Sequence, residues 1–302
     1  MTAKRVNVER IEKVKEDMKI GIGLPNQVRN VNPVIIPEWA AKSEQAGFAT
    51  LGTVGRIAYP GVMDTVALAV AAGATSTVGL LSNVLLATVW PATLLAKEAA
   101  GIDGVSGGRL TLGVGVGGRS DDFVVDGHGL QRRGERFDRD LQVYREVWKG
   151  NPVGGGENPA VPEGTREVPL LFGAMAPAAF ERMARFGQGY IGASFPPETV
   201  AGSFDAARDA WRKAGREGDP RLVAIAYFAF ADADRGRGNI YDYYSNFGDE
   251  LAKGIASSSV HCDAQAVKDA VSAFGDIGAD ELIFNPAGDD IDEIARLAET
   301  VL

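Results

Sequence analysis

The feature that most constrains this chain is an alternation sustained along almost its whole length, of short apolar runs each followed by a longer segment of helical period. Eight runs read as strands, at 19–25, 50–54, 77–86, 109–116, 169–173, 189–193, 222–229 and 281–285. Eight helical segments fall between or after them, at 37–46, 63–72, 92–105, 133–148, 177–186, 198–214, 264–278 and 291–302. Short apolar strands that alternate with helices pair in parallel, because each crossover helix returns the chain to the same end of the sheet. Eight such units predict an α/β fold, a (β/α)8 TIM barrel. In that architecture the chemistry sits where strands end and loops lead into helices.

Two connections exceed the usual loop length, and long ordered loops tend to be lids or binding loops. The 151–168 segment, rich in Pro and Gly, is expected to be a mobile loop. The 232–259 excursion carries Tyr241, Tyr243, Tyr244 and Phe247 at helical spacing, a stripe that reads first as packing. Residues 1–18 read as a charged N-terminal extension and residues 19–302 as a single barrel domain.

The stretch GRLTLGVGVGGRSDDF, residues 108–123, contains a nominal G-x-G-x-x-G in Gly113, Gly115 and Gly118. That spacing binds a dinucleotide only where the glycines join a strand to a helix that opens at once. Here Ser120-Asp121-Asp122 and then Gly127-His128-Gly129 follow, and no helix opens. A Rossmann reading therefore fails at this point. At a barrel mouth the same glycines read either as tight turns or as backbone cleared for a flat ring or a phosphate.

Composition narrows the chemistry. A formal charge of -9 argues against a nucleic-acid or anionic-membrane surface, since both reward clustered Lys and Arg. A single cysteine, Cys262, excludes an internal disulfide and a cysteine metal cluster, and with two histidines no metal is expected. No apolar window reaches the length of a membrane span and the N-terminus lacks a signal core. The expectation is a cytoplasmic enzyme acting on a small molecule.

Five stretches, in order, carry a family resemblance. They are IGIGLPN at the first strand, TVGLLSNVLLATVWPATLLAKEAAGIDGVSGGRLTLGVGVGG across the third and fourth units, and DDFVVDGHGLQRRGERFDRDLQVYREVW after them. LLFGAMAPAAFERMARFGQGYI and ADELIFNP follow. Together they make residues 19–302 similar to the bacterial luciferase-like family of flavin- and deazaflavin-dependent oxidoreductases, whose fold is the (β/α)8 barrel. The resemblance implies an oxidoreductase, with reduced FMN, O2 and a small organic substrate as the first expectation. Coenzyme F420-dependent hydride transfer is the alternative, and a non-catalytic flavin-binding barrel stays open. A homodimer and a separate flavin or F420 reductase are also implied.

In the family the third strand carries a bulge with a cis peptide that supports the back of the ring, and the matching bond is Ser82-Asn83. The resemblance thereby makes Leu81, Ser82 and Asn83 the floor of a ring site, with Leu24 opposite and Gly115 at the adjoining strand end. A phosphate tail would rest against Gly117, Gly118 and Arg119, and against Gly173, Ala174, Met175 and Ala176, where a helix opens at Pro177.

The chain departs from the family near the end of the second strand, where an acidic residue and a histidine are replaced by Arg56 and Ile57. Val116 stands where luciferase has a phosphate-binding arginine, so Arg119 is the candidate substitute, and Trp90-Pro91 replaces a common His-Pro pair. Arg56 is the first catalytic candidate: it stays protonated and can hold an anionic ring edge, a peroxide or a carboxylate, or form an ion pair at the rim. His128 is the second, either titrating near neutral pH or standing solvated in its loop. His261 and Cys262 read as structural, and Asp263 as a helix N-cap.

Overall fold

Every strand expected from the sequence forms. In the computed structural model, which describes residues 18–123, 127, 129–173 and 175–302, β1 (Lys19–Gly23), β2 (Thr50–Thr53) and β3 (Gly79–Ser82) open the barrel. A short β4 (Leu85–Leu86) precedes β5 (Leu110–Gly115), β6 (Leu170–Gly173), β7 (Gly189–Ile191) and β8 (Arg221–Phe228). A short β9 (Val260–His261) and then β10 (Glu281–Pro286) complete the set. The pairings among these strands are parallel, and the sheet closes because β10 pairs with both β1 and β8, Ile20 opposite Leu282 and Ile283 opposite Ile225. Closure leaves the eight main strands without an open edge.

The period-two alternation of each strand sends its side chains to two different cores. Leu81, Leu171, Ile191, Val223, Ile225 and Ile283 pack together inside the barrel. Their neighbours Leu80, Leu170, Leu222, Ala224, Leu282 and Phe284 face outward, into a larger cluster with Trp39, Leu68, Leu95, Phe137, Tyr144, Met183 and Phe204. These last come from the surrounding helices α1 (Ile35–Ala46), α2 (Asp64–Ala74), α3 (Ala92–Val105), α4 (Arg133–Trp148), α5 (Pro177–Phe186) and α6 (Pro197–Lys213). Each fully buried large apolar side chain contributes about 1.5–3 kcal/mol relative to exposure.

The 232–259 excursion folds as two helices, α7 (Ala233–Tyr244) and α8 (Asp249–Ser258), joined by a 3-10 turn at Ser245–Phe247. The chain then re-enters the barrel through α9 (Ala264–Asp276) and ends in α10 (Glu293–Val301). Asp232 starts α7 by accepting the Arg235 N–H, and Asp263 starts α9 by accepting the Ala266 N–H, as its position suggested. The 151–168 connection, expected to be mobile, is anchored: Val161 and Val168 are buried, and Arg166 donates to both carboxylate oxygens of Asp103 at 2.7 Å. Among the described residues no helix is long and apolar enough to cross a membrane.

One expectation is corrected. The third strand does not run unbroken over 77–86; it stops at Ser82 and resumes as β4, and the cis peptide joins Asn83 to Val84, not Ser82 to Asn83. The reason lies in the ladder: the Asn83 N–H still donates to Thr53 O at 2.7 Å, so regular pairing with β2 extends one residue further than the resemblance implied.

Candidate active site

The C-terminal mouth is lined by strand ends whose side chains are small. An added Cβ at Gly115 would stand 3.0 Å from a Val84 methyl, and one at Gly173 would stand 3.2 and 3.3 Å from the two Val84 methyls. These glycines therefore make the room into which Val84 projects from the bulge. Val84 packs down onto the inner apolar layer and is itself part-exposed. It thus offers a small apolar floor at the mouth. Beside it, Asn83 is buried and donates weakly to Asn285 Oδ1 at 3.5 Å, while its own Oδ1 accepts from none of the described residues. A buried carbonyl oxygen without a donor is costly, which makes it a natural acceptor for a ligand N–H.

The other sequence candidates separate into covered and open groups. Leu24 and Leu81 have no exposed surface; Leu24 lies in the outer core and Leu81 in the inner one, so neither forms the floor expected of it. Ser82 is also fully buried, its hydroxyl donating to Gly113 O at 2.8 Å. By contrast Gly118, Met175 and Ala176 are exposed, and Gly117, Arg119 and Gly173 are part-exposed. Met175 and Ala176 lead into α5, which starts at Pro177 with no side-chain cap; Pro177 has no N–H and the Ala179 N–H donates to Ala176 O at 2.9 Å, so the Ala178 N–H is the donor the first turn offers. Gly117 has φ of +70°, a conformation that favours glycine, and a Cβ there would meet the Phe123 ring at 2.9 Å. His128 and Ala174 lie outside the described residues.

Arg56 is buried, and all five of its N–H donors are engaged. Nε faces Asp122 at 3.5 Å; Nη1 donates to Tyr243 O at 3.1 Å and Asn246 Oδ1 at 3.0 Å; Nη2 donates to Asp121 Oδ2 at 2.6 Å and Ala58 O at 3.3 Å. Its guanidinium also lies over the Tyr59 and Tyr243 rings, at 5.2 and 5.6 Å. Of the two readings open for Arg56, the geometry is that of the rim ion pair. It ties the loop after β2 to the loop after β5 and to the end of α7.

Further bonds fasten the same insertion. Asp242 accepts from Arg29 at 2.9 Å and from the Tyr59 hydroxyl at 2.8 Å, and the buried Tyr243 hydroxyl donates to Gly55 O at 3.2 Å. Tyr244 bridges the hydroxyls of Ser194 and Tyr227, at 3.0 and 2.9 Å. Burial pushes Tyr227 and Tyr243 well above the usual phenol range, so both remain hydroxyl donors at neutral pH. Between the loops and the end of α7 remains a cleft of about 10 Å³, lined by Asn26, Gln27, Val54, Arg56, Tyr59 and Tyr243 among others. That is room for one water, not for a ring.

Arg119 is the opposite case to Arg56. Its guanidinium is enclosed by Phe247, Tyr243 and Tyr244 at 4.5, 4.9 and 5.3 Å from the ring centroids, and its buried Nε has no acceptor among the described residues. No carboxylate among the described residues pairs with it, since Asp121 and Asp122 are both turned to Arg56. Arg133, the first residue of α4, is similar: it donates to Gly117 O at 2.9 Å and Leu130 O at 3.1 Å and has no described acidic partner. Two cations without counter-charges among the described residues thus flank the Gly117–Gly118 turn.

Sequence reasoning missed Val84, Asp122, Asn246, Asn285 and Arg133. Asn285 had a signal, since alternation along ADELIFNP puts it on the same face as Ile283. Of the aromatic stripe, Tyr243, Tyr244 and Phe247 surround Arg119 and Tyr243 also faces Arg56, while Tyr241 is exposed and donates to Asp249 at 2.7 Å.

A model of the family described as luciferase-like monooxygenase matches residues 18–280. An uncharacterized protein of Mycobacterium tuberculosis is 31% identical over 170 residues, which make up 53% of this chain and 60% of that relative. The chain thus spans about three fifths of the relative's length. An F420-dependent secondary alcohol dehydrogenase, solved with an F420-acetone adduct, superposes with a TM-score of 0.77 at 16% identity, covering 94% of this chain and 98% of that one. A type II Baeyer-Villiger monooxygenase in complex with FMN, the oxygenating constituent of 3,6-diketocamphane monooxygenase from the CAM plasmid of Pseudomonas putida, gives 0.70 at 13% identity, covering 94% and 96%. At these identities the structures establish a common fold.

Proposed function

Because the chain belongs to the luciferase-like monooxygenase family, we propose that it is an oxidoreductase that seats an isoalloxazine-type ring at the barrel mouth and works with reduced FMN and O2 on a small organic substrate. The observation that carries this reading is the pairing of a part-exposed Val84, set among glycine strand ends, with the partnerless Asn83 Oδ1. A flat ring with one polar edge needs such a floor and such an acceptor. The residues present fit the group.

When bound, reduced FMN supplies the electrons that activate O2. The chain's own contribution is position, charge and the exclusion of water. Val84 supports a ring face and Asn83 Oδ1 accepts from a ring N–H. Arg119, Arg133 and the Ala178 N–H at the start of α5 hold the phosphate. The insertion, fastened through Arg56, Asp242 and Tyr243, keeps bulk water from the mouth. Tyr227 and Tyr243, held protonated by burial, donate hydrogen bonds and do not act as bases.

Coenzyme F420-dependent hydride transfer is the second reading, supported by the fold shared with the F420-dependent alcohol dehydrogenase. Either reading calls for a separate reductase to supply reduced cofactor. A homodimer formed through barrel helices belongs to the same proposal, and Val66 on α2 and Leu94 on α3, both half exposed, support it.

The test is titration of the purified chain with FMN, FAD and F420, oxidised and reduced, followed by fluorescence. Selective binding of reduced FMN with substrate-dependent O2 uptake is the expected result. Selective F420 binding would move the assignment to hydride transfer, and no binding of any of the three would overturn both readings.

A further inference from the structure

At the opposite end of the barrel, where the strands begin, lies a cavity of about 410 Å³ lined by Lys19, Thr50, Thr77, Gly79, Arg109, Thr111 and Arg221. The inner aliphatic layer of Leu81, Leu171, Ile191, Val223, Ile225 and Ile283 lies between it and the mouth, so the two spaces are distinct. Its volume falls within the range of small-molecule sites, which is about 300–1,000 Å³.

The lining is unusual in charge. The chain as a whole carries -9, yet three cations converge here. Arg221 is paired through Nη2 with Glu281, a carboxylate with no exposure. Lys19 is exposed at the start of β1 and has no carboxylate partner among the described residues. Arg109 has five donors fixed on neutral acceptors: Ser106 O at 2.7 Å, Val78 O at 2.7 Å, Thr75 Oγ1 at 2.9 Å, Thr75 O at 2.9 Å and Ala72 O at 3.0 Å. Its position is rigid and its charge has no described counter-ion.

Glu44 stands at the Thr77 edge. Burial opposes its ionisation, but the N–H groups of Thr77, Val78 and Ser76 and the Thr77 hydroxyl hold it at about 2. It is therefore an anion already fixed on that turn, and with Glu281 and with Asp280, whose Oδ2 accepts the Leu222 N–H at 2.7 Å, the charges around the cavity balance in number; Lys19 and Arg109 are the cations with no carboxylate paired to them among the described residues. Thr50 and Thr111 add hydroxyls, and Gly79, with no side chain, leaves the space between them open.

We propose that this cavity is a second ligand site, independent of the mouth, for a compact oxyanion such as a phosphate monoester or a small di- or tricarboxylate. Lys19 and the free donors of Arg221 would bind the anion directly, Thr50 and Thr111 would complete its hydrogen bonds, and Arg109 would supply a fixed field. A ligand there bridges β1, β2, β5 and β8 and so stabilises the closed barrel by mass action.

The test uses the full chain in isothermal titration and thermal melts, with inorganic phosphate and with citrate as probes, at ionic strength held constant with sodium chloride. Saturable binding of one probe per chain, a rising melting temperature and at least a roughly tenfold weaker affinity in Lys19→Ala/Thr111→Val are expected. Phosphate preference would assign a phosphate ester, and citrate preference a polycarboxylate. No saturable binding of either up to about 10 mM, where a millimolar site would be largely filled, would overturn the proposal. Equal affinity in the double variant would do the same. Since Lys19 is exposed, Lys19→Met alone serves if the double variant is unstable. Neither outcome bears on flavin binding at the mouth.

Discussion

Nη2 of Arg56 stands 2.6 Å from Oδ2 of Asp121, two residues separated by 65 positions and brought together at the barrel mouth. The pair is the centre of a latch. Asn246 donates to the same Asp121 oxygen at 2.8 Å, and Asp122 Oδ1 accepts the N–H groups of Ile57 and Ala58, both at 2.9 Å. Three loops of the mouth are held by one guanidinium and two carboxylates. Removing one partner of such a buried network leaves the others desolvated and unpaired, which costs about 3–5 kcal/mol.

Arg56→Met is therefore expected to lower stability by about 3 kcal/mol or more in chemical denaturation. It should also speed amide exchange across residues 233–258. Arg56→Lys should recover little, because an ammonium cannot present five donors in a fixed fork. Unchanged exchange in the insertion would show that the latch does not hold it.

Gly118→Val tests the mouth without disturbing the fold. Gly118 is exposed, its φ is unexceptional, and an added Cβ would make ordinary contact with Phe247 at 3.5 Å. Stability should change by no more than about 0.5 kcal/mol. Cofactor affinity should fall at least roughly tenfold, and an unaltered affinity would remove Gly118 from the site. Gly117 is a poorer probe, since its φ of +70° and the nearby Phe123 ring would mix strain into the result.

Arg119→Gln separates phosphate recognition from ring recognition. Its aromatic surroundings provide no anion, so the guanidinium of this part-exposed residue is ready for one. The variant should bind FMN about tenfold more weakly while its affinity for riboflavin, which lacks the phosphate, stays the same. Equal losses for both ligands would place Arg119 at the ring and not at the phosphate.

Asp64, the first residue of α2, is fully buried, and desolvation raises its carboxyl to about 6 although the Thr65 N–H pulls the other way. With the folded pKa above the unfolded one, its contribution to stability is complete below the ordinary carboxylate range and is lost as pH rises through about 6. A shift of about two pKa units corresponds to about 3 kcal/mol. Asp64→Asn should thus gain up to about that much relative to the native chain near pH 8 and little near pH 4, read from melts at both. A gain independent of pH would show that the ionised carboxylate is better compensated than its burial suggests.

The barrel was legible because strand and helix periods are local properties, and β5, α3, α4 and α5 appear within a residue of where the pattern puts them. The glycines of β5 and β6 announced a strand end needing space. What they make room for, the Val84 side chain, was hidden because a break in β3 is set by pairing with β2 and β5 and not by the residues of the run itself. The Arg56 latch was hidden for a related reason. Its partners lie 65 and 190 positions away, and nothing in the local pattern links them. Arg56 was visible as an unusual residue, but whether its donors were free depended on the fold.

The central claim is that the Val84 and Asn83 bulge is the floor of a ring site, and the most direct measurement is a crystal structure of the chain with whichever of FMN or F420 binds more tightly. Ring density against Val84, a ring N–H within hydrogen-bond distance of Asn83 Oδ1, and the phosphate near Arg119 and the start of α5 are expected. A ring bound elsewhere, or one at the mouth that leaves Asn83 Oδ1 without a partner, would contradict it.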